Sequence, residues 1–383
     1  MTDRTKLEQL REALDRIDAA LIDQAAERQR LVSEIGQLKQ HQGRQLRDYR
    51  REREVLDGVR ARAEQVGLEP DLAESLLKSL IEASLTRQEQ QRISRSARGT
   101  GQRVLLIGGA GLMGQWLARY FDSQGFAVQI SDPAWCATTS AFADVPDWQS
   151  GSYSAEIVVI CTPIAASRKI LQQLTDLHEQ QPVPALVFDI ASVKAPLVEV
   201  LRAGAESGLR LCSIHPMFGP DTVLLAGRHI LFSNVGNAEA VRAARALFEE
   251  TMVEQVDVTL DQHDRLMAMV LGLSHALNIA FADTLVQSGL KAEQLAAISS
   301  TTFKRQLAIA GDVVAENDRL YFEIQQLNPH ELDVLDGLLS SVQQLRSHVA
   351  EQNQSAFSKQ MKSGHHWLQA MQASQARDPA DED

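Results

Sequence analysis

The chain has 383 residues, of which 44% are hydrophobic and 23% charged, with a net charge of −12. This composition belongs to a globular protein long enough for two or three domains with real cores, and the acidity argues against a general nucleic-acid binder. Cys136, Cys161 and Cys212 show neither a disulfide framework nor metal-ligand spacing, so a reducing compartment and no metal site are expected. The opening MTDRTKLEQLRE is amphipathic and charged, without a signal-like apolar region, and no run approaches ~20 consecutive apolar residues. These features set the expectation of a cytoplasmic protein that does not enter a membrane.

Residues 5–92 read as helix throughout. In the first helix, over about 5–40, Leu7, Leu14, Leu21 and Ile35 form one apolar row and Leu10, Ile17, Leu31 and Leu38 the other, the seam of a helix packed on helices. Gln24 and Arg28 interrupt that seam. Arg28 either snorkels or pairs with Asp23 or Glu27, or else it serves a buried anion. Lys39 follows Arg28 by eleven residues, hence ~20° away around the axis and ~16 Å along it, so both side chains can converge on one small anion. Arg11 lies ~25 Å before Arg28 and is rotated by ~100°, which suits the pocket of a second copy better than its own. After a break at His41-Gln42-Gly43, a second helix is expected over about 48–65 and a third over 70–92, opened by Pro70-Asp71. SRSARGTG (94–101) reads as a polar linker.

The pattern then changes. RVLLIGGAGLMGQWLARYF (103–121) is an apolar run, a glycine turn and a helix. Strand-like runs follow at 126–130, 155–161, 185–189, 209–214 and 229–233, mostly separated by helical stretches, which predicts an α/β sheet with parallel strands. Gly109, Gly111 and Gly114 stand between strand and helix, where a backbone without side chains can approach a pyrophosphate at a helix N-terminus. Asp132, eighteen residues beyond Gly114, is placed to receive a ribose 2′-hydroxyl, and no Arg or Lys beside it welcomes a 2′-phosphate. The reading is a dinucleotide site that prefers NAD to NADP.

His215 follows the run 209–214 in HPMFGP, at the carboxyl edge where α/β sheets place reacting groups. Asp189-Ile-Ala-Ser192-Val-Lys194 should lie along the same edge. From about 240 helices return, and 261–286 is apolar around much of its circumference, as expected of a buried helix at a domain or subunit contact. There His275, Lys304 and Arg305 offer positive charge to a carboxylate, or are ordinary solvated helix residues. The tail ASQARDPADED is expected to be disordered.

Taken together, these residues resemble the bifunctional chorismate mutase–prephenate dehydrogenases of tyrosine biosynthesis over nearly the whole chain. The N-terminal part is similar to the all-helical chorismate mutases, whose site set falls on Arg11, Arg28, Lys39, Asp48, Arg51, Glu52, Ser84 and Gln88 with every residue type retained. GGAGLMG, DIASVK, HPMFGPD and HDRLMA carry the resemblance to prephenate dehydrogenases. It implies a multidomain chain: a three-helix mutase domain (1–92), a linker (93–102), an NAD-binding Rossmann-type domain (103–260), an all-α substrate and dimerisation domain (261–372) and the tail (373–383).

The resemblance further implies a homodimer in which Arg11 reaches the partner's pocket, and inhibition by tyrosine. Arg28 and Arg51 would hold carboxylates, Lys39 and Gln88 the ether oxygen, and Glu52 the ring hydroxyl. His215 would be the general base of the dehydrogenase, with Ser192 near the hydroxyl or nicotinamide and His275 orienting substrate. One departure stands out: an aromatic residue followed directly by Arg is the family's habit, whereas Phe303 is followed by Lys304 and then Arg305. This leaves the carboxylate-binding cation, and prephenate against arogenate, open. Two other readings remain: a dehydrogenase with a non-catalytic helical interaction module, and a hydroxyacid or imine reductase of similar plan.

Overall fold

A computed structural model describes residues 3–41, 49–95, 99–135 and 142–375. Three helices come first: α1 (Asp3–His41), α2 (Tyr49–Val66) and α3 (Pro70–Arg95). Proline opens α3 because the first turn has no use for its missing N–H, and the Glu69 carboxylate accepts from the Leu72 N–H at 2.7 Å. Arg60 of α2 bonds Asp71 at 2.7 Å and also Glu74, tying α2 to α3 around buried Ala63 and Ala73. The first helix is described as far as His41, and the expected break at Gln42 and Gly43, with Asp48, lies outside the described residues. The supposed linker is helical as far as Arg95, and Ser96–Arg98 lie outside the description.

The seam of α1 is not covered by its own chain. Leu7, Leu10, Leu14, Ile17, Leu21, Leu31, Ile35 and Leu38 are all exposed. Its packing against α3 involves the stretch around Arg28–Gly36.

An eight-stranded sheet follows: β1 (Arg103–Ile107), β2 (Ala127–Ser131), β3 (Ala143–Asp144), β4 (Ile157–Ile160), β5 (Leu186–Asp189), β6 (Leu211–Pro216), β7 (His229–Ser233) and β8 (Glu254–Asp257). The spatial order is β3-β2-β1-β4-β5-β6-β7-β8. The six predicted strands are present, but β7 runs antiparallel to β6, correcting the all-parallel expectation. The β6–β7 connection contains no helix to cover a parallel crossover, so the chain doubles back. Two strands were missed. β3 is only two residues long, and EQVD of β8 is mostly polar and exposed, so neither shows a buried apolar run. Phe121, Phe188, Phe232 and Phe248 fill the core with the strand residues, which are buried on both faces of the sheet.

Residues 261–383 form a second compact unit. Helix Leu260–Met267 passes through a π-helical turn, Ala268–Leu273, into Ser274–Gln287. The wide turn loosens the backbone ladder, and the Gly272 carbonyl accepts from Gln325 Nε2 at 3.0 Å. The expected burial of this helix is only partial: Met269, Val270, Leu277, Ile279 and Val286 are exposed. By length and mean hydropathy of 1.5 it is the one described helix apolar enough to cross a membrane, although polar residues interrupt its apolar stretch. Its first turns carry a buried His263–Asp264 pair, Nδ1 to Oδ1 2.7 Å. The last helix, Gln354–Gln375, takes in the first residues of the supposed tail; residues 376–383 lie outside the description.

At the carboxyl edge of β5 and β6 an ion pair is buried completely. Lys194 Nζ donates to Asp189 Oδ1 and Oδ2 at 3.0 and 2.9 Å and to the Ile214 carbonyl at 2.8 Å. Ser213 Oγ donates to the same carboxylate at 2.9 and 2.7 Å. A buried charge is tolerable only when its partners are this complete. Lys194→Met keeps the length of the side chain but strands Asp189 without a counter-ion. The expected loss is ~3–5 kcal/mol, read by urea unfolding of the purified variant; a change below ~1 kcal/mol would mean the pair contributes little.

Candidate active sites

In the bundle, Arg28, Ser84 and Gln88 come together. Arg28 Nη1 donates to Ser84 Oγ at 3.0 Å and to the Leu80 carbonyl at 3.1 Å, while Ser84 Oγ donates to Gln29 Oε1 at 2.9 Å. One turn on, Gln88 Nε2 donates to the Val32 carbonyl at 2.7 Å. It reaches that far because α1 has a glycine there: a Cβ on Gly36 would lie 2.7 Å from Gln88 Nε2. Burial pulls the Arg28 guanidinium below its ordinary pKa, as expected where a cation sits among helices without a carboxylate. Glu27, the simple partner considered from sequence, pairs with Arg30 at 2.6 Å instead.

Arg11 is exposed, Arg51 is exposed and pairs with Glu54 at 3.1 Å, and Glu52 is half-buried on α2. Lys39 lies on α1, but its side chain, like the whole of Asp48, is outside the described residues. Gln29 is a member of the cluster that periodicity did not single out. Its signal was position alone, one residue after the arginine that breaks the seam.

The second site is built on β1 and on helix α4 (Leu112–Ser123). Gly108 has φ +84°, a backbone region open to glycine, and a side chain there would also strike Thr162. A Cβ on Gly114 would lie 2.7 Å from the Gly108 carbonyl oxygen and from Gly109 Cα, so the turn and helix touch backbone to backbone. Gly111 is exposed at the N-cap of α4, where no side chain caps the helix, leaving its first N–H groups open to an anion. Asp132 follows β2, accepts from the Ala110 N–H at 3.1 Å and from the Ala134 N–H at 2.8 Å, and remains half-exposed. With β1 between β2 and β4, this is the crevice where the strand order reverses. The cradle fits a dinucleotide pyrophosphate, with a carboxylate in place for a ribose.

His215 is not in a loop after its strand, as expected from sequence, but in β6 itself, opposite Leu231 of β7 and 97% buried. The strand runs two residues further than its apolar letters suggest, because β7 pairs it as far as Pro216. Lys194, visible in the DIASVK stretch but given no role from spacing, anchors the Ile214 carbonyl just before this histidine. Ser192, half-buried, lies on the segment between Asp189 and Lys194.

His275, Lys304 and Arg305 belong to the second unit. His275 stacks on Tyr321 with centroids 4.1 Å apart, and its buried Nδ1 has no partner among the described residues. Burial lowers its pKa and favours neutral imidazole. Lys304 and Arg305 are both exposed. The inward side of that helix is supplied by Phe303, against Phe281, and Gln306, bonded to Asn278 at 2.8 Å. Adjacent helix positions therefore did not resolve into one inward and one outward cation.

The geometry defines a helical bundle with a buried cationic and amide cluster, followed by a dinucleotide-type α/β sheet. The chorismate mutase type II family matches residues 10–89, the prephenate dehydrogenase nucleotide-binding domain 136–254, and the prephenate dehydrogenase dimerization domain 259–363. The T-protein of Enterobacter agglomerans is 28% identical over 319 residues, covering 83% of this chain and 81% of that one. The T-protein of Haemophilus influenzae is 26% identical, covering 87% and 84%. Among solved structures, prephenate dehydrogenase from Aquifex aeolicus with hydroxyphenyl propionate and NAD+ shares the fold, with TM-score 0.58, 18% identity, and coverage of 72% of this chain and 99% of that one. The chain belongs to the bifunctional chorismate mutase–prephenate dehydrogenases: it converts chorismate to prephenate and oxidises prephenate with NAD in tyrosine biosynthesis.

Arg28→Leu separates pocket from fold. The Leu80 carbonyl keeps Gln29 Nε2 at 3.2 Å as a donor, and the Ser84 hydroxyl, which loses Arg28, can still donate to Gln29 Oε1 or to that carbonyl. Stability should stay within ~1 kcal/mol while mutase kcat/KM falls by at least ~10²–10³, the worth of a preorganised charge. Circular dichroism melts and a chorismate assay check both.

Proposed function

We propose that the mutase pocket is formed by Arg28, Lys39, Asp48, Arg51, Glu52, Ser84 and Gln88, completed by Arg11 from a second copy. Chorismate rearranges in a single pericyclic step that needs no nucleophile, so the pocket must hold the compact conformer and stabilise charge developing on the ether oxygen. The observation that carries this reading is Arg28 meeting Ser84 and Gln88 between α1 and α3. Substrate would replace the Leu80 and Val32 carbonyls as acceptors for Arg28 and Gln88. Those carbonyls lie in helices, so they are not stranded by the exchange. Glu52 takes the ring hydroxyl and Arg51 a carboxylate.

For the dehydrogenase, Gly109, Gly111 and Gly114 hold the pyrophosphate and Asp132 the ribose. NAD, once bound, supplies the hydride acceptor. His215 takes the proton of the ring hydroxyl as that carbon gives up hydride, and loss of carbon dioxide leaves an aromatic ring. Ser192 bonds near the hydroxyl or nicotinamide. Neutral His275 orients substrate, and Lys304 or Arg305 receives a carboxylate. Arogenate differs from prephenate in its side chain, where an amine replaces the keto group, and comparing kcat/KM for the two substrates measures the preference between them.

The enzyme works as a cytoplasmic homodimer in this proposal. The exposed apolar rows of α1 and the exposed face of Leu260–Gln287 are what a partner copy would bury. The domains divide at 1–92, 103–260 and 261–372. Tyrosine acts as feedback inhibitor, tested by adding it to either assay.

Mixing tests the shared pocket. Arg11→Ala and Arg28→Ala are each expected to lack mutase activity as homodimers. Refolded together they form heterodimers with one pocket intact, and activity should reappear. Heterodimers verified by mass spectrometry yet inactive would sink the sharing. His215→Asn keeps a polar side chain that cannot take the proton. It should lower dehydrogenase kcat by ~10²–10⁴, with prephenate KM little moved and mutase activity kept. Near-normal kcat would remove His215 as base.

A further inference from the structure

The carboxylate of Glu89 has no place in either pocket, yet it is 99% buried. It stands next to Gln88 on α3, so it points ~100° away from that residue. Gln88 faces α1; Glu89 faces the sheet. Its Oε2 accepts from the Leu225 N–H at 2.7 Å and its Oε1 from the Met252 N–H at 2.8 Å. The Ala226 N–H also favours its ionised form, against burial, which pushes the carboxyl up. Three residues on, Arg92 Nε bonds Glu250 at 3.0 Å. Bonds from backbone N–H to a carboxylate are among the stronger ones, and two at opposite oxygens fix both the depth and the rotation of a helix.

What Glu89 grips belongs to the dehydrogenase. Residues 217–228 connect β6, which carries His215, to β7. That connection is held at one point by Trp116, whose Nε1 donates to the Thr222 carbonyl at 2.8 Å and whose ring lies 5.0 Å from that of Phe218. Leu225, 98% buried in the sheet core, is the point Glu89 holds. A displacement of α3 by a ligand on Ser84 and Gln88 is thus resisted by, and passed to, the connection that leaves His215.

We propose that Glu89 is a positioning residue that couples the two active sites, tying the helix that carries Ser84 and Gln88 to the β6–β7 connection. The coupling rests on the assignment of those residues to the mutase pocket, and the test tells the two ideas apart. Full-length enzyme is assayed for NAD reduction with prephenate, with and without a saturating bicyclic ether dicarboxylate shaped like the compact chorismate conformer. In the wild type the analogue should change prephenate KM by about fivefold or more, the usual scale of coupling between sites. Glu89→Gln retains size but presents an amide NH₂ to an N–H donor. It should keep both activities when assayed singly and lose the response to within about 1.5-fold, far short of that scale. Glu89→Asp, too short to span both N–H groups, should weaken the response and decides the matter if Glu89→Gln fails to fold. Arg28→Leu should abolish the response by removing analogue binding. No response in the wild type, or one that survives both Glu89 variants, overturns the coupling. A response that survives Arg28→Leu shows the analogue acting outside the mutase pocket and overturns the pocket assignment instead.

Discussion

The dehydrogenase half depends on one buried ammonium. Lys194 satisfies its three donors entirely inside the protein, on the two oxygens of Asp189 and on a backbone carbonyl of the neighbouring strand. The pair therefore fixes three things at once: the end of β5, the segment carrying Ser192, and the backbone immediately before His215. In the proposed mechanism His215 is the base, and preorganised chemistry needs a base whose position costs nothing to set at the moment of reaction. Here the position is set by a charge that has nowhere else to go. The glycine cradle on β1 is arranged differently, by the absence of side chains rather than by bonds between them.

How much of this was legible in the sequence varied with the kind of signal. The six longer strands and three N-terminal helices announce themselves by period, and the glycine turn by its place between strand and helix. β8 escaped because a polar edge strand has no apolar run, and the reversal at β7 escaped because direction follows from what the connection contains. His215 was legible, but the strand that holds it runs two residues past the apolar run: strand length is set by the partner strand as much as by local letters. Arg28 was legible because it broke a pattern, whereas Gln29 and Glu89 broke none. The pairing of Lys194 with Asp189 depends on a loop returning over the sheet edge, a tertiary fact that spacing does not encode. Lys304 and Arg305 stayed unresolved for the opposite reason, since both are exposed and the fold of one chain gives neither a partner among the described residues.

The two compact units share a condition. Each leaves apolar rows in solvent: Leu10, Leu21 and Leu38 on α1, and Met269, Val270 and Val286 on the long helix of the second unit. In a soluble monomer, contiguous apolar area of this kind is unusual. A single chain is thus an incomplete unit in the proposed reading, and the exposed Arg11 makes the same point for the chemistry.

Gly36 has one more consequence. Glycine inside a helix costs roughly 0.5–1 kcal/mol relative to alanine, so α1 carries a weak point about as far along as Gln88 reaches. Filling it would stiffen the helix, but the new methyl would lie 2.7 Å from Gln88 Nε2 and 3.3 Å from its Cγ, so that side chain would have to leave the Val32 carbonyl. Whatever the helix gains, the amide that the proposed pocket uses as a donor would be displaced. In the proposed reading, a step that favours the helix at this position works against the mutase pocket.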